Sequence, residues 1–101
     1  MKYRKKPIEI EAVQYINFDP EEACVKKCFN AFPKWLEDAI ECGNITYLVL
    51  CSPNRLSYKF AIKTLEGEMS LNKKAWIIRG MKGELYPCSD EIFKMTYEQV
   101  E

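Results

Sequence analysis

The sequence predicts an α+β fold: an antiparallel sheet, made of an N-terminal strand and a C-terminal meander, with two short helices packed on one face. Three observations carry this. Residues 8–13 alternate apolar and acidic, as a half-covered strand does. Residues 20–42 switch to helical spacing. From Ile45 onward, short strand-like runs alternate with turn residues.

The first element is Ile8-Glu9-Ile10-Glu11-Ala12-Val13. Ile8, Ile10 and Ala12 share one face and the glutamates the other. Pro7 is tolerated at a strand's first residue or on an edge. Val13 and Tyr15 then fall on the glutamate face. Either that face becomes covered there, or a bulge shifts the register.

Asp19-Pro20-Glu21-Glu22 reads as a helix start, with Asp19 capping, Pro20 at the first helical position and Glu22 completing a capping box. Cys24, Val25, Cys28, Phe29 and Phe32 follow on one face, so the first helix is expected over about 20–31. Pro33 interrupts it and opens a second helix, 33–42, with Trp35, Leu36, Ala39 and Ile40 as its apolar face. Gly43 is the expected left-handed terminator. A single kinked helix is the alternative.

Ile45–Cys51 is a continuous apolar run, expected to be a central strand. Ser52-Pro53-Asn54 turns the chain. Leu56–Leu65 places Tyr58, Phe60, Ile62 and Thr64 against Lys59, Ala61 and Lys63. Short strands are then expected at Glu68–Leu71, Ala75–Arg79 and Glu84–Pro87, with turns between them. Ser89 or Asp90 caps a last helical turn through Lys94, and Met95–Tyr97 finishes as a strand.

The 101 residues fit one domain. Fifteen basic residues balance fifteen acidic ones, so there is no global electrostatic footprint for nucleic acid or an anionic membrane. Histidine is absent, which excludes Ser-His-Asp and Cys-His catalysis. The expectation is a protein that works by binding, not by turnover, and no cofactor is called for. Apolar runs are too short to span a membrane and the start is no signal peptide, so the cytoplasm is the expected location. The five cysteines, Cys24, Cys28, Cys42, Cys51 and Cys88, form no CxxC pair and read as reduced thiols rather than a zinc site. Cys88 is the thiol to watch, because a following helix start favours a thiolate. Glu9 and Glu11 read as a solvated face paired with Lys59 or Lys63.

Candidate binding residues fall into two groups. Gly80-Met81-Lys82-Gly83 has the form of a nucleic-acid-clamping GXXG loop, but it joins two strands and lacks the flanking helices. Arg79 and Lys82 beside its backbone N–H groups suit one phosphate or carboxylate. Tyr86 and Tyr97 complete an aromatic and basic patch there. The second group is the basic arm Lys2, Arg4, Lys5 and Lys6, suited to an acidic partner or nucleic acid, with a charged guard on an edge strand as the plainer reading. Homodimerisation is open, through an edge of the Leu56–Leu65 strand or of the N-terminal strand.

The opening, Lys2-Tyr3-Arg4-Lys5-Lys6-Pro7-Ile8-Glu9-Ile10-Glu11-Ala12-Val13-Gln14-Tyr15, resembles that of a family of small phage and prophage proteins. Pro33-Lys34-Trp35-Leu36 with Ala39, Ile40 and Gly43, and Thr64-Leu65-Glu66-Gly67, are also similar to that family. The longest similar stretch is Trp76-Ile77-Ile78-Arg79-Gly80-Met81-Lys82-Gly83-Glu84-Leu85-Tyr86-Pro87-Cys88, followed by Ile92-Phe93 and Thr96-Tyr97-Glu98. Family members often carry Gly-Asp before the tryptophan strand, where this chain has Lys73-Lys74 or Lys74-Ala75. The resemblance implies a phage or prophage origin. With the residue chemistry, it leads to the expectation of a non-catalytic binding protein that engages a host or phage macromolecule as inhibitor or modulator. A module binding a nucleotide or other anion at the Gly80–Gly83 turn is the alternative.

Overall fold

A computed structural model describes residues 1–3, 9–16, 25–52 and 55–98. The elements are β1 (Glu11–Gln14), a 3-10 turn (Val25–Cys28), α1 (Lys34–Glu41), β2 (Ile45–Ser52), β3 (Arg55–Thr64), β4 (Gly67–Ser70), β5 (Trp76–Arg79), β6 (Leu85–Cys88) and α2 (Asp90–Thr96). The fold is α+β, as the sequence predicts.

The strands divide into two antiparallel sheets of three, ordered β1-β5-β6 and β2-β3-β4. A single sheet was expected. The division follows from pairing: β1 joins β5 rather than the nearer hairpin, with Val13 opposite Ile77 and Ala12 opposite Ile78. The Leu56–Leu65 segment lies in the middle strand of its sheet, with β2 along one side and β4 paired to its Ala61–Thr64 end. Ile45–Ser52, expected to be central, is instead an edge strand.

One core lies between the sheets. Strand β3 supplies Tyr58, Phe60 and Ile62, with Lys59 and Lys63 outside, as its alternation dictates. Val13, Tyr15 and Ile77 face them from the other sheet, and Leu36 and Ala39 of α1 join. The Phe60 ring meets Tyr15 edge-on at 5.1 Å and Phe29 at 5.0 Å. Such T-shaped contacts place ring edges on ring faces and add to the burial of apolar area.

Of the two alternatives for the first strand, the structure shows the covered second face. Val13 and Tyr15 are buried, while Ile10 and Ala12 are half-buried. No bulge is needed, because both faces of β1-β5-β6 are covered. Helix α2 lies on the second face, its Phe93 ring stacked on Trp76 at 3.9 Å. This explains the unbroken Trp76-Ile77-Ile78 run: a strand covered on both sides has no polar face.

Pro33 caps α1 from an extended conformation, and the chain leaves the helix at Gly43 (φ 86). The expected 20–31 helix is not found in its described part. Only one 3-10 turn forms before Phe29 bridges to Tyr15. Burial of Cys28 and Phe29 against β1 outweighs helical continuation. The Asp19–Glu22 start, Cys24 and the Pro53-Asn54 turn lie outside the described residues. Ser89 caps α2 by accepting from the Ile92 N–H at 3.3 Å. That helix runs through Thr96, so no strand forms at Met95–Tyr97. Helix α1 joins the core between the sheets, and α2, the separately expected last helical turn, covers the other side of the β1-β5-β6 sheet. Among the described residues, no helix is long and apolar enough to cross a membrane.

Candidate functional site

The β5–β6 connection is a three-residue loop, Met81–Gly83. The Gly83 N–H donates to the Gly80 carbonyl at 3.0 Å, and the Gly80 N–H donates to the Glu84 carbonyl at 2.8 Å. Gly83 takes φ 81, the left-handed position such hairpin loops require. This is a β-turn and not a helix-flanked clamp.

The loop's anion position is filled from within. The Lys82 backbone N–H donates to Glu84 Oε2 at 2.9 Å. The Glu84 carboxylate lies over Gly80 so closely that a Cβ there would collide with it. The chain itself therefore supplies the carboxylate that the sequence left to a ligand.

Beside the loop runs an open groove of about 840 Å³. Ile10, Leu65, Met81, Lys82, Tyr86, Thr96 and Tyr97 line it, with Gly80, Gly83 and Glu84. Its surface is mainly apolar. Met81 is 75% exposed and Leu65 97% exposed at its rim. The strand β6 positions Tyr86 and the end of α2 positions Tyr97. Their hydroxyls share a hydrogen bond, and burial together with that bond pushes Tyr86 up to about 12.

Of the predicted residues, Lys82, Tyr86 and Tyr97 come together. Arg79 does not join them. It pairs in register with Glu11 and Leu85, on the sheet face opposite Tyr86. Its guanidinium meets Glu11 at 3.5 Å, so Glu11 pairs with Arg79 and not with Lys59 or Lys63. One residue's difference along a strand reverses the face. Lys2 is exposed, and Arg4, Lys5 and Lys6 lie outside the described residues.

Cys88 is also corrected. Burial raises its thiol above the ordinary value, and Sγ donates to the Ser89 carbonyl at 3.6 Å. The neutral thiol is the favoured form. Among the described residues, no group of three potential metal ligands converges.

Sequence reasoning missed the polar joint behind the groove. Asp90 accepts from Trp76 Nε1 at 2.9 Å and from Gln14 Nε2 at 3.1 Å, and it pairs with Lys94 at 3.1 Å. Gln14 Nε2 also donates to the Lys74 carbonyl at 3.0 Å. This joint fixes α2, and so Tyr97, against the sheet. Its signal was available only as a polar residue, Gln14, at the end of an apolar strand.

The turn before the tryptophan strand places Lys74 in the left-handed region at φ 64. Backbone bonds to Tyr15 and the Gln14 amide hold it there. In comparisons with known proteins, no family model, no curated protein and no solved structure matches this chain.

Proposed function

We propose that this chain is a small non-catalytic binding protein of phage or prophage origin that engages a host or phage protein as inhibitor or modulator. The observation that carries the reading is the groove beside Met81–Gly83. It is apolar, holds two tyrosines and carries Lys82 at its rim. Tyrosine and methionine are among the residues enriched at protein-binding surfaces. A phosphate-binding surface would offer free N–H groups, and here Glu84 takes the one at Lys82. The origin rests on the family resemblance, and the absence of catalysis on the missing histidine and on the neutral Cys88 thiol.

The test is paired affinity capture from infected and uninfected host lysate. The bait is either the wild type or the Met81→Asp/Lys82→Ala variant, and both altered side chains are solvent-exposed. A protein retained by the wild type and lost by the variant supports the reading. Identical retention by both baits overturns it. A thermal-shift screen of nucleotides runs in parallel. A true ligand at a hundred times its Kd adds about 2.7 kcal/mol, and such a shift would favour the small-ligand reading instead.

A further inference from the structure

Among the described residues, four outer strands end the two sheets, and three of them are guarded. Strand β4 has four residues and carries Glu68. Strand β6 has four residues and contains Pro87, which has no N–H to offer. Strand β1 has four residues, carries Glu11, and gives its last backbone groups to Asn30. Strand β2 is different. It has eight residues and spans about 27 Å. It has no charge from Gly43 to Ser52 and no proline. Tyr47 (41%), Leu48 (66%), Val49 (39%) and Leu50 (43%) are exposed along it. A long, uncharged, apolar edge is a template for another strand.

We propose that β2 pairs antiparallel with β2 of a second copy, across a two-fold axis near Leu48, joining the two β2-β3-β4 sheets into one. The ladder phase shows which groups are free. Lys63 N donates to Asn44 O at 2.8 Å, so even-numbered β2 residues bond to β3. The backbone groups of Ile45, Tyr47 and Val49 point to the open edge. With the axis at Leu48, Tyr47 lies opposite the copy's Val49, and each pair exchanges those groups. Leu48 and Leu50 then cluster on one side of the joint, and Tyr47 and Val49 on the other.

Charge selects the second copy over a charged partner. The edge has nothing to complement an acidic or basic strand, and it meets itself without like-charge opposition. The nearest cation, Lys59, lies opposite Leu48 on β3. The two copies of Lys59 stand three strand spacings apart, about 14 Å. That exceeds the Debye length of about 8 Å at physiological salt.

Light scattering on the eluting 101-residue chain over a dilution series tests this. The wild type is expected at twice its 11.9 kDa mass. Leu48→Lys places a charge at the axis, and Val49→Pro removes one outward N–H without touching the β2–β3 ladder. Each is expected to halve the mass, with unchanged circular dichroism. If Val49→Pro fails to fold, the exposed Leu48 site decides alone. A wild type that runs at 11.9 kDa throughout overturns the proposal and leaves the edge to a different protein. A dimer that persists in a folded Leu48→Lys variant overturns it as well.

Discussion

The Tyr15 hydroxyl donates a 2.8 Å hydrogen bond to the carbonyl oxygen of Tyr58, joining the β1-β5-β6 sheet to the β2-β3-β4 sheet inside the core. Both residues are buried, so no water replaces a lost donor. Tyr15→Phe keeps the ring contacts and leaves the carbonyl short of one partner. The expected cost is about 1–2 kcal/mol, or roughly 5–10 °C in Tm. Thermal melts check it, and an unchanged Tm would remove the bond from the account.

Asp90 gives the fold an acid dependence. The Trp76 N–H, followed by Lys94, holds its carboxyl below the ordinary carboxylate value. A depressed folded pKa stabilises above the unfolded value, about pH 4, and that stabilisation is lost as pH falls through the folded value. Asp90→Asn keeps an acceptor but has no charge to titrate. The Tm gap between wild type and variant is expected to close on acidification. A gap constant with pH would contradict this.

Tyr86 acts at the other end of the scale. Its value of about 12 reflects burial first and the Tyr97 hydroxyl second. A raised folded pKa stabilises below the unfolded value, about pH 10, and the contribution is lost as pH rises through about 12. The phenolate absorbance of the wild type minus that of Tyr86→Phe should rise near pH 12. A difference curve centred near pH 10 would place Tyr86 in ordinary solvent.

Gly80 and Glu84 should be coupled. Gly80→Ala displaces the Glu84 carboxylate and frees the Lys82 N–H, with an expected cost of about 1 kcal/mol. In a Glu84→Ala background the added methyl meets no carboxylate, so that cost should vanish. A double-mutant cycle by denaturant unfolding measures this, and strict additivity would refute the close approach.

Lys74 holds a conformation that L-residues adopt at a cost of about 1 kcal/mol. Lys74→Gly is therefore expected to raise stability by a few tenths to about 1 kcal/mol, reduced by the greater freedom of glycine in the unfolded chain. A loss of stability in denaturant titration would show that the Lys74 side chain contributes more than its backbone strain removes.

Local chemistry was legible where a residue's neighbours in sequence are its neighbours in space. The alternation of Tyr58, Phe60 and Ile62 named the buried face of β3. Pro33 and Gly43 bounded α1, and Ser89 capped α2. Lys82, Tyr86 and Tyr97 were recognisable as a patch because one hairpin and the helix after it bring them together. Arg79 was misplaced because adjacency to a turn does not reveal which face of the strand a side chain takes.

By itself, the sequence determined the α+β class, the alternation of β3, the helix boundaries at Pro33, Gly43 and Ser89, and the hairpin loop at Gly80–Gly83. These depend on backbone preferences and on periodicities of 2 and 3.6 residues, which act over a few positions. Tertiary structure alone decided that β1 pairs with β5, that α2 covers the second face of that sheet, that Glu84 fills the anion position, and that β2 stands at an edge. Periodicity states which residues share a face. Which face is covered, and by what, depends on partners that are distant in the chain, and the same apolar run that suits a central strand equally suits an edge that meets a second copy.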